Sequence, residues 1–209
     1  MPDNATAQGS ERPSRGGARS LAQMAIFAGL IAAMGLVPAF QPPGLPVPIT
    51  LQSMGVMLAG AILGARKGFG SVVLFLVLVA IGLPLLAGGR GGLAVFTTPS
   101  VGFLLAFPFA AFVIGWLTER KGAPYSIPLG IVFNLAGGVV FLYAFGILGI
   151  MLVGGLSLPA AVAATAVFIP GDIIKAVLAA LIAKPVHAAY PGLLRIRDVA
   201  PEPVDAGVR

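Results

Sequence analysis

Cysteine is absent from this sequence, and histidine and tryptophan occur once each, as His187 and Trp116. Disulfides and thiolate metal ligands are therefore excluded, and a single histidine does not build a metal site, so neither redox nor zinc chemistry is expected. Charge is scarce as well: Asp, Glu, Lys and Arg make up 10% of the chain against 58% hydrophobic residues. With a mean hydropathy of +1.01, this composition lies outside the range of soluble globular domains. There is no G-x-x-x-x-G-K-S/T phosphate loop; GARKG at 64–68 lacks the required Gly-Lys-Ser/Thr, so the chain does not energise itself with ATP. No Ser/His/Asp or H-E-x-x-H arrangement is found, which argues against an enzyme, and no cofactor is implied.

What the chain does have is long apolar runs, at about 20–40, 50–65, 69–87, 99–117, 127–153 and 159–187. Once a polar head and tail are set aside, roughly 165 residues remain, room for about six spans of about 20 residues each. The fold class expected is an all-α integral membrane protein of six transmembrane helices. Its organisation is a cytoplasmic N-terminal arm over 1–19, a membrane domain over 20–187 and a cytoplasmic tail over 188–209. The first run is too long for a secretory signal and further spans follow it, so it reads as a retained helix. PPGLPVP at 42–48, GARKG at 64–68, AGGRGG at 87–92, TERKGAP at 118–124 and GGLSLP at 154–159 punctuate the runs. The second run is short and has to begin inside the proline-rich stretch before it. The sixth contains Pro170 and Gly171, which kink it or divide it into half-helices.

The net charge of +6 reports topology rather than nucleic-acid binding. With the N-terminus inside, Arg12, Arg15, Arg19, Arg66, Lys67, Arg120, Lys121, Lys184, Arg195, Arg197 and Arg209 are cytoplasmic, Arg90 alone is outside, and Lys175 lies within a span. This asymmetry fits six spans with both termini inside.

Between residues 20 and 187 only two carboxylates occur, Glu119 and Asp172. Glu119 stands beside Arg120 and Lys121 at a membrane surface and needs no special account. Asp172 lies inside the sixth run, three residues before Lys175, so the two side chains share a helical face and can meet. A charge at a helix centre costs about 2.5–3.5 kcal/mol on insertion scales, so both should face the bundle or an aqueous cavity. They are either a self-neutralising structural pair or the donors and acceptors of a polar ligand. Thr50 and Gln52, directly after the stiff proline-rich loop, belong to a connector or supply neutral hydrogen bonds to a ligand. In AGGRGG the glycines, Gly91 and Gly92 among them, let backbone approach a ligand closely, while Arg90 either attracts an anion or is a solvated loop charge. Two series of small residues in the first run, Ala25, Gly29, Ala33 and Ala28, Ala32, form grooves for internal packing or for a partner helix. Asn134 and Tyr143 suit interhelical hydrogen bonds or a cavity wall. Trp116 fits an interfacial anchor, and His187 a surface group at the end of the sixth run.

Three stretches in order, VPITLQSMGVMLAGAILGARKG at 47–68, AIGLPLLAGGRGG at 80–92 and IPGDIIKA at 169–176, resemble the BioY family, the biotin-binding substrate-specificity (S) components of energy-coupling-factor (ECF) transporters. The likeness runs from about 20 to 187. It implies a six-helix S-component fold in the cytoplasmic membrane, a high-affinity biotin site near the outer face, and partnership with a transmembrane T component and ABC ATPases. It also implies that Asp172 accepts from the ureido N–H groups of biotin and that Lys175 serves the ureido carbonyl or the carboxylate. Apolar groups from Ile81 to Leu86 and around Phe96 would wall the bicyclic ring, and the small residues of the first helix would face the coupling partner. The chain departs from the family pattern at 97–107, where TTPSVGFLLAF stands for an expected GPTGGYLLGF and Phe103 removes a tyrosine hydroxyl. A proton-coupled secondary transporter using Asp172 is the competing reading; a single intramembrane acid and no evident inverted repeat weigh against it.

Overall fold

The computed structural model describes residues 15–193. Its helices are α1 (Arg15–Met34), α2 (Gln52–Leu63), α3 (Ala65–Ala80), α4 (Val101–Lys121), α5 (Ile127–Leu135), α6 (Leu142–Gly154), α7 (Leu158–Ala166) and α8 (Ile169–Ala189). The helical arrangement has α2 at its centre, packed on α1, α3, α4 and α8, while α4 also meets α3 and α6. All twelve residues of α2 are buried, which is why it is apolar all round instead of showing one apolar stripe.

At about 1.5 Å per residue, α2 alone would fall short of a bilayer core of about 30 Å. The chain enters it through non-helical backbone. Phe40 and Ile49 exchange two main-chain hydrogen bonds (3.1 and 2.8 Å), closing the proline-rich loop on itself, and Val47 within it is buried. Irregular backbone of this kind is sheltered by protein or lines a cavity. By length and composition Gly17–Met34, Val101–Lys121 and Ile127–Gly154 can each cross a membrane, and the bent pair α7–α8 makes a fourth if taken as one span.

Several breaks differ from the sequence expectation. GARKG at 64–68 is not a loop: Gly64 alone turns the chain, at φ 80°, and Arg66 and Lys67 already belong to the first turn of α3. Glu119, expected to have no particular role, accepts the Ala65 N–H at 3.0 Å and so caps α3. The fifth run is one continuous helical stretch, with π-helical Ala136–Phe141 inserted between α5 and α6 at the Gly137–Gly138 pair. The sixth run, by contrast, divides as expected, just before Pro170, where α7 and α8 meet at a 50° bend. α1 begins at Arg15, so residues 15–19 of the expected arm are helical. The remainder of that arm with Arg12, and the tail from 194 with Arg195, Arg197 and Arg209, lie outside the described residues.

Small residues permit the closest helix contacts. A Cβ on Gly149 would stand 2.8 Å from the Gly102 Cα, so α4 and α6 touch backbone to backbone there. On α1 the two small-residue series part company: Ala28 is buried and Ala32 half-buried against the bundle, whereas Ala25, Gly29 and Ala33 are exposed.

Candidate ligand-binding site

Asp172 owes its position to the α7–α8 break. Its N–H bonds the Phe168 carbonyl at 2.9 Å, which sets the carboxylate in the first turn of α8, where the helix dipole favours negative charge. Lys175 follows one turn on, with Nζ 2.8 Å from Asp172 Oδ1, the one ion pair among the described residues. Ser53, in the first turn of α2, bridges them: its Oγ donates to Asp172 Oδ1 (3.2 Å) and accepts from Lys175 (3.1 Å). The Tyr143 hydroxyl, from α6, donates to Asp172 Oδ2 at 2.7 Å. The third ammonium proton of Lys175 goes to the Thr50 carbonyl at 2.6 Å. Both carboxylate oxygens and all three ammonium protons are thus engaged by four separate parts of the chain.

This cluster forms the polar side of a cavity whose free space, open mouth included, is about 600 Å³. Phe103, Phe107, Leu86 and Phe168 supply apolar lining to the same cavity. Phe103, Tyr143 and Phe168 meet edge to face, with centroids 6.1–6.5 Å apart, a favoured aromatic arrangement. Position 103 therefore supplies an apolar ring edge, and the hydroxyl of the trio comes from Tyr143.

Arg90 lines the same cavity from the loop that follows α3. Main-chain bonds between Leu86 and Arg90 (3.0 and 3.2 Å) fold that loop, and Arg90 Nε donates to the Ala87 carbonyl at 3.2 Å. Burial lowers the Arg90 pKa from its ordinary value, yet a guanidinium stays charged. Gln52 fastens the loop: Nε2 donates to the Ile31 and Leu85 carbonyls (3.1 and 3.0 Å), and Oε1 accepts the Ala87 N–H (3.0 Å).

The structure brings Asp172, Lys175, Thr50 and Gln52 to one cavity, with two adjustments. Thr50 reaches Lys175 through its carbonyl, and Gln52 directs its amide to main chain. Gly91, Gly92 and Phe96 do not line it. The loop turns back at Arg90, so that Gly91 lies against the Leu83 carbonyl and the Gly92 N–H bonds Val79 O (2.8 Å). Phe96 sits in the 3₁₀ turn Leu93–Thr97, half-buried against the apolar core. Of the expected wall from Ile81 to Leu86, only Leu86 reaches the cavity, while Ile81 and Leu83 are exposed. Ser53 was not foreseen, whereas Tyr143 takes both roles open to it in the sequence, an interhelical hydrogen bond and a cavity wall. The π segment, which ends two residues before Tyr143, sets the register that aims it inward, as π insertions often do at functional positions.

Asn134 bonds across to the Ala176 carbonyl at 3.0 Å, an interhelical role. His187 is not a surface group: it is buried, stacked on Tyr125 at 4.9 Å, with Nε2 2.8 Å from the Ala61 carbonyl. Burial pushes the Tyr125 phenol up to about 12.

Fold and site together define a multi-pass α-helical membrane protein with a small-molecule cavity closed on one side by a hydrogen-bonded charge pair. The BioY family model matches residues 4–192, and the chain belongs to that family. It is 49% identical over 178 residues to the biotin transporter BioY of Rhizobium etli, covering 83% of this chain and 95% of that protein. It is 48% identical to the biotin transporter BioY of Rhodobacter capsulatus, over 86% of this chain and 98% of the relative. Among solved structures, the S-component for biotin from an ECF-type ABC transporter superposes with a TM-score of 0.78 at 33% identity, covering 85% of this chain and 95% of that one.

Proposed function

We infer that this chain takes up biotin as the S-component of an energy-coupling-factor transporter, a transport protein and not an enzyme. The observation that carries the reading is the Asp172–Lys175 pair, held by Ser53, Thr50 and Tyr143 inside a cavity with one further charge at Arg90. The cavity's charged groups, one acid and two bases, sum to +1. A monoanionic ligand completes neutrality, and biotin carries one carboxylate.

The bicyclic ring packs against Phe103 and Phe168, its ureido N–H groups face Asp172, and its carboxylate pairs with Arg90, because Lys175 is already neutralised by its neighbour. Thr50 and Gln52 shape the site rather than donate from their side chains. An unmatched buried polar group is costly, which gives the site its means of rejecting other vitamins. Six spans with both termini cytoplasmic, in the inner membrane, follow from the basic residues; α2 with its proline-rich entry, α3 with the loop after it, and α7–α8 complete the count. Residues 1–19 and 188–209 then lie on the cytoplasmic side. A T component and ABC ATPases supply the energy, and the exposed series Ala25, Gly29 and Ala33 faces them. The family relationship and the small-residue stripe support that placement.

The direct test is binding of radiolabelled biotin to the detergent-purified chain, with thiamine and riboflavin as competitors. Saturable binding displaced by biotin alone is expected; displacement by either of the other vitamins, or no binding, would remove the reading.

A further inference from the structure

Along α3 and α4, from the middle of α4 to its C-terminal end, two features adjoin that the biotin site does not use. The first is an apolar groove between α3 and α4, lined by Phe69, Phe109 and Phe112 and closed at one end by Arg66. Phe69 meets Phe109 and Phe112 edge to face, at 5.4 and 6.4 Å, so the groove has firm aromatic walls. The second is a recess of mixed lining, where the charged Arg66, Lys67, Glu119 and Arg120 stand beside Trp116, Phe112 and Leu193. Arg66 and Phe112 belong to both, so groove and recess are continuous.

The charges in the recess are unequally committed. Glu119 spends Oε1 on the Ala65 N–H, and Lys67 donates to Gln23 Oε1 at 2.8 Å. Arg120 lies over the Trp116 ring at 3.9 Å, and neither it nor Arg66 forms an ion pair among the described residues. Two arginines with guanidinium N–H groups left over, at the mouth of an aromatic groove, match an anionic head joined to an apolar chain.

We propose that this face binds one anionic phospholipid, its phosphate held between Arg66 and Arg120 and an acyl chain in the Phe69–Phe109–Phe112 groove. The charge complementarity selects the head, and the groove beneath it selects a lipid over a free phosphate. Trp116, with Arg120 over its ring, is of the residue type enriched at membrane boundaries. The proposal needs only that the chain is a membrane protein and does not rest on the biotin reading.

Native mass spectrometry of the purified full chain tests it, with phosphatidylglycerol, phosphatidylcholine and glycerol 3-phosphate as probes. Retention of one phosphatidylglycerol in preference to phosphatidylcholine is expected. The double replacement R66Q/R120Q should weaken it by about 30-fold, the combined effect of two basic contacts at a membrane surface. The charge-keeping R66K/R120K should hold the lipid, and an unchanged thermal midpoint in both variants shows that they are folded. Equal retention by wild type and R66Q/R120Q, or equal binding of glycerol 3-phosphate and the lipid, would overturn the proposal. So would phosphatidylglycerol bound as in wild type by an R66Q/R120Q chain that no longer joins its coupling partners, which would make the face a protein interface.

Discussion

Removing one member of a buried, hydrogen-bonded charge pair leaves the other unmatched, at a cost of about 2–5 kcal/mol. Asp172→Asn and Lys175→Met should therefore each weaken biotin binding by about 30-fold or more, read by equilibrium titration of the purified chain. Tyr143→Phe deletes only the 2.7 Å hydrogen bond to Asp172. A bond to a charged group contributes about 1.5–3 kcal/mol, so affinity should fall at least about tenfold while the chain stays folded. Unchanged affinity in Tyr143→Phe would mean that its hydroxyl has no part in holding the acid for the ligand. Asp172 and Lys175 were legible in the sequence because they are the charges left inside apolar runs. Ser53 was not, and Tyr143 was legible as a hydrogen-bonding or cavity-wall group but not as a partner of Asp172: a hydroxyl in an apolar run has several outlets, and only the three-dimensional register shows that these two converge on Asp172.

Among the elements, the loop after α3 depends on a side chain outside it. Gln52 makes three hydrogen bonds, two of them to the loop at Leu85 and Ala87. Gln52→Leu keeps an apolar helix position but strands these main-chain groups, each worth about 1–3 kcal/mol when buried and unpaired. A lower thermal midpoint and faster amide exchange across residues 83–92 are expected, with α2 still protected; uniform exchange loss would show that Gln52 supports the whole bundle instead. On α1 the two faces should respond differently to tryptophan. At Ala28, which is buried, it overpacks the bundle and reduces stability. At Ala25, Gly29 or Ala33 it should spare folding and biotin binding but impair co-purification with a T component, and intact assembly would assign that stripe to lipid. The apolar runs showed where helical segments lie, since composition and length report them. The single-residue turn at Gly64 and the π segment at 136–141 escaped notice because both preserve the apolar pattern while changing only local backbone geometry.

For the whole molecule, the distribution of lysine and arginine predicts that a reporter fused after Arg209 stays cytoplasmic; periplasmic activity would reverse the topology. The same scale joins the bilayer reading to the site, because a charge pair inside a membrane bundle has two explanations that single replacements do not separate: each leaves its partner unpaired. The double replacement D172N/K175M does separate them, since it removes both charges together. Its thermal stability and biotin affinity, measured on one purified preparation, test the ligand site most directly. The account predicts stability recovered relative to either single variant with biotin binding still lost, whereas recovery of both would make the pair a structural brace and place recognition elsewhere.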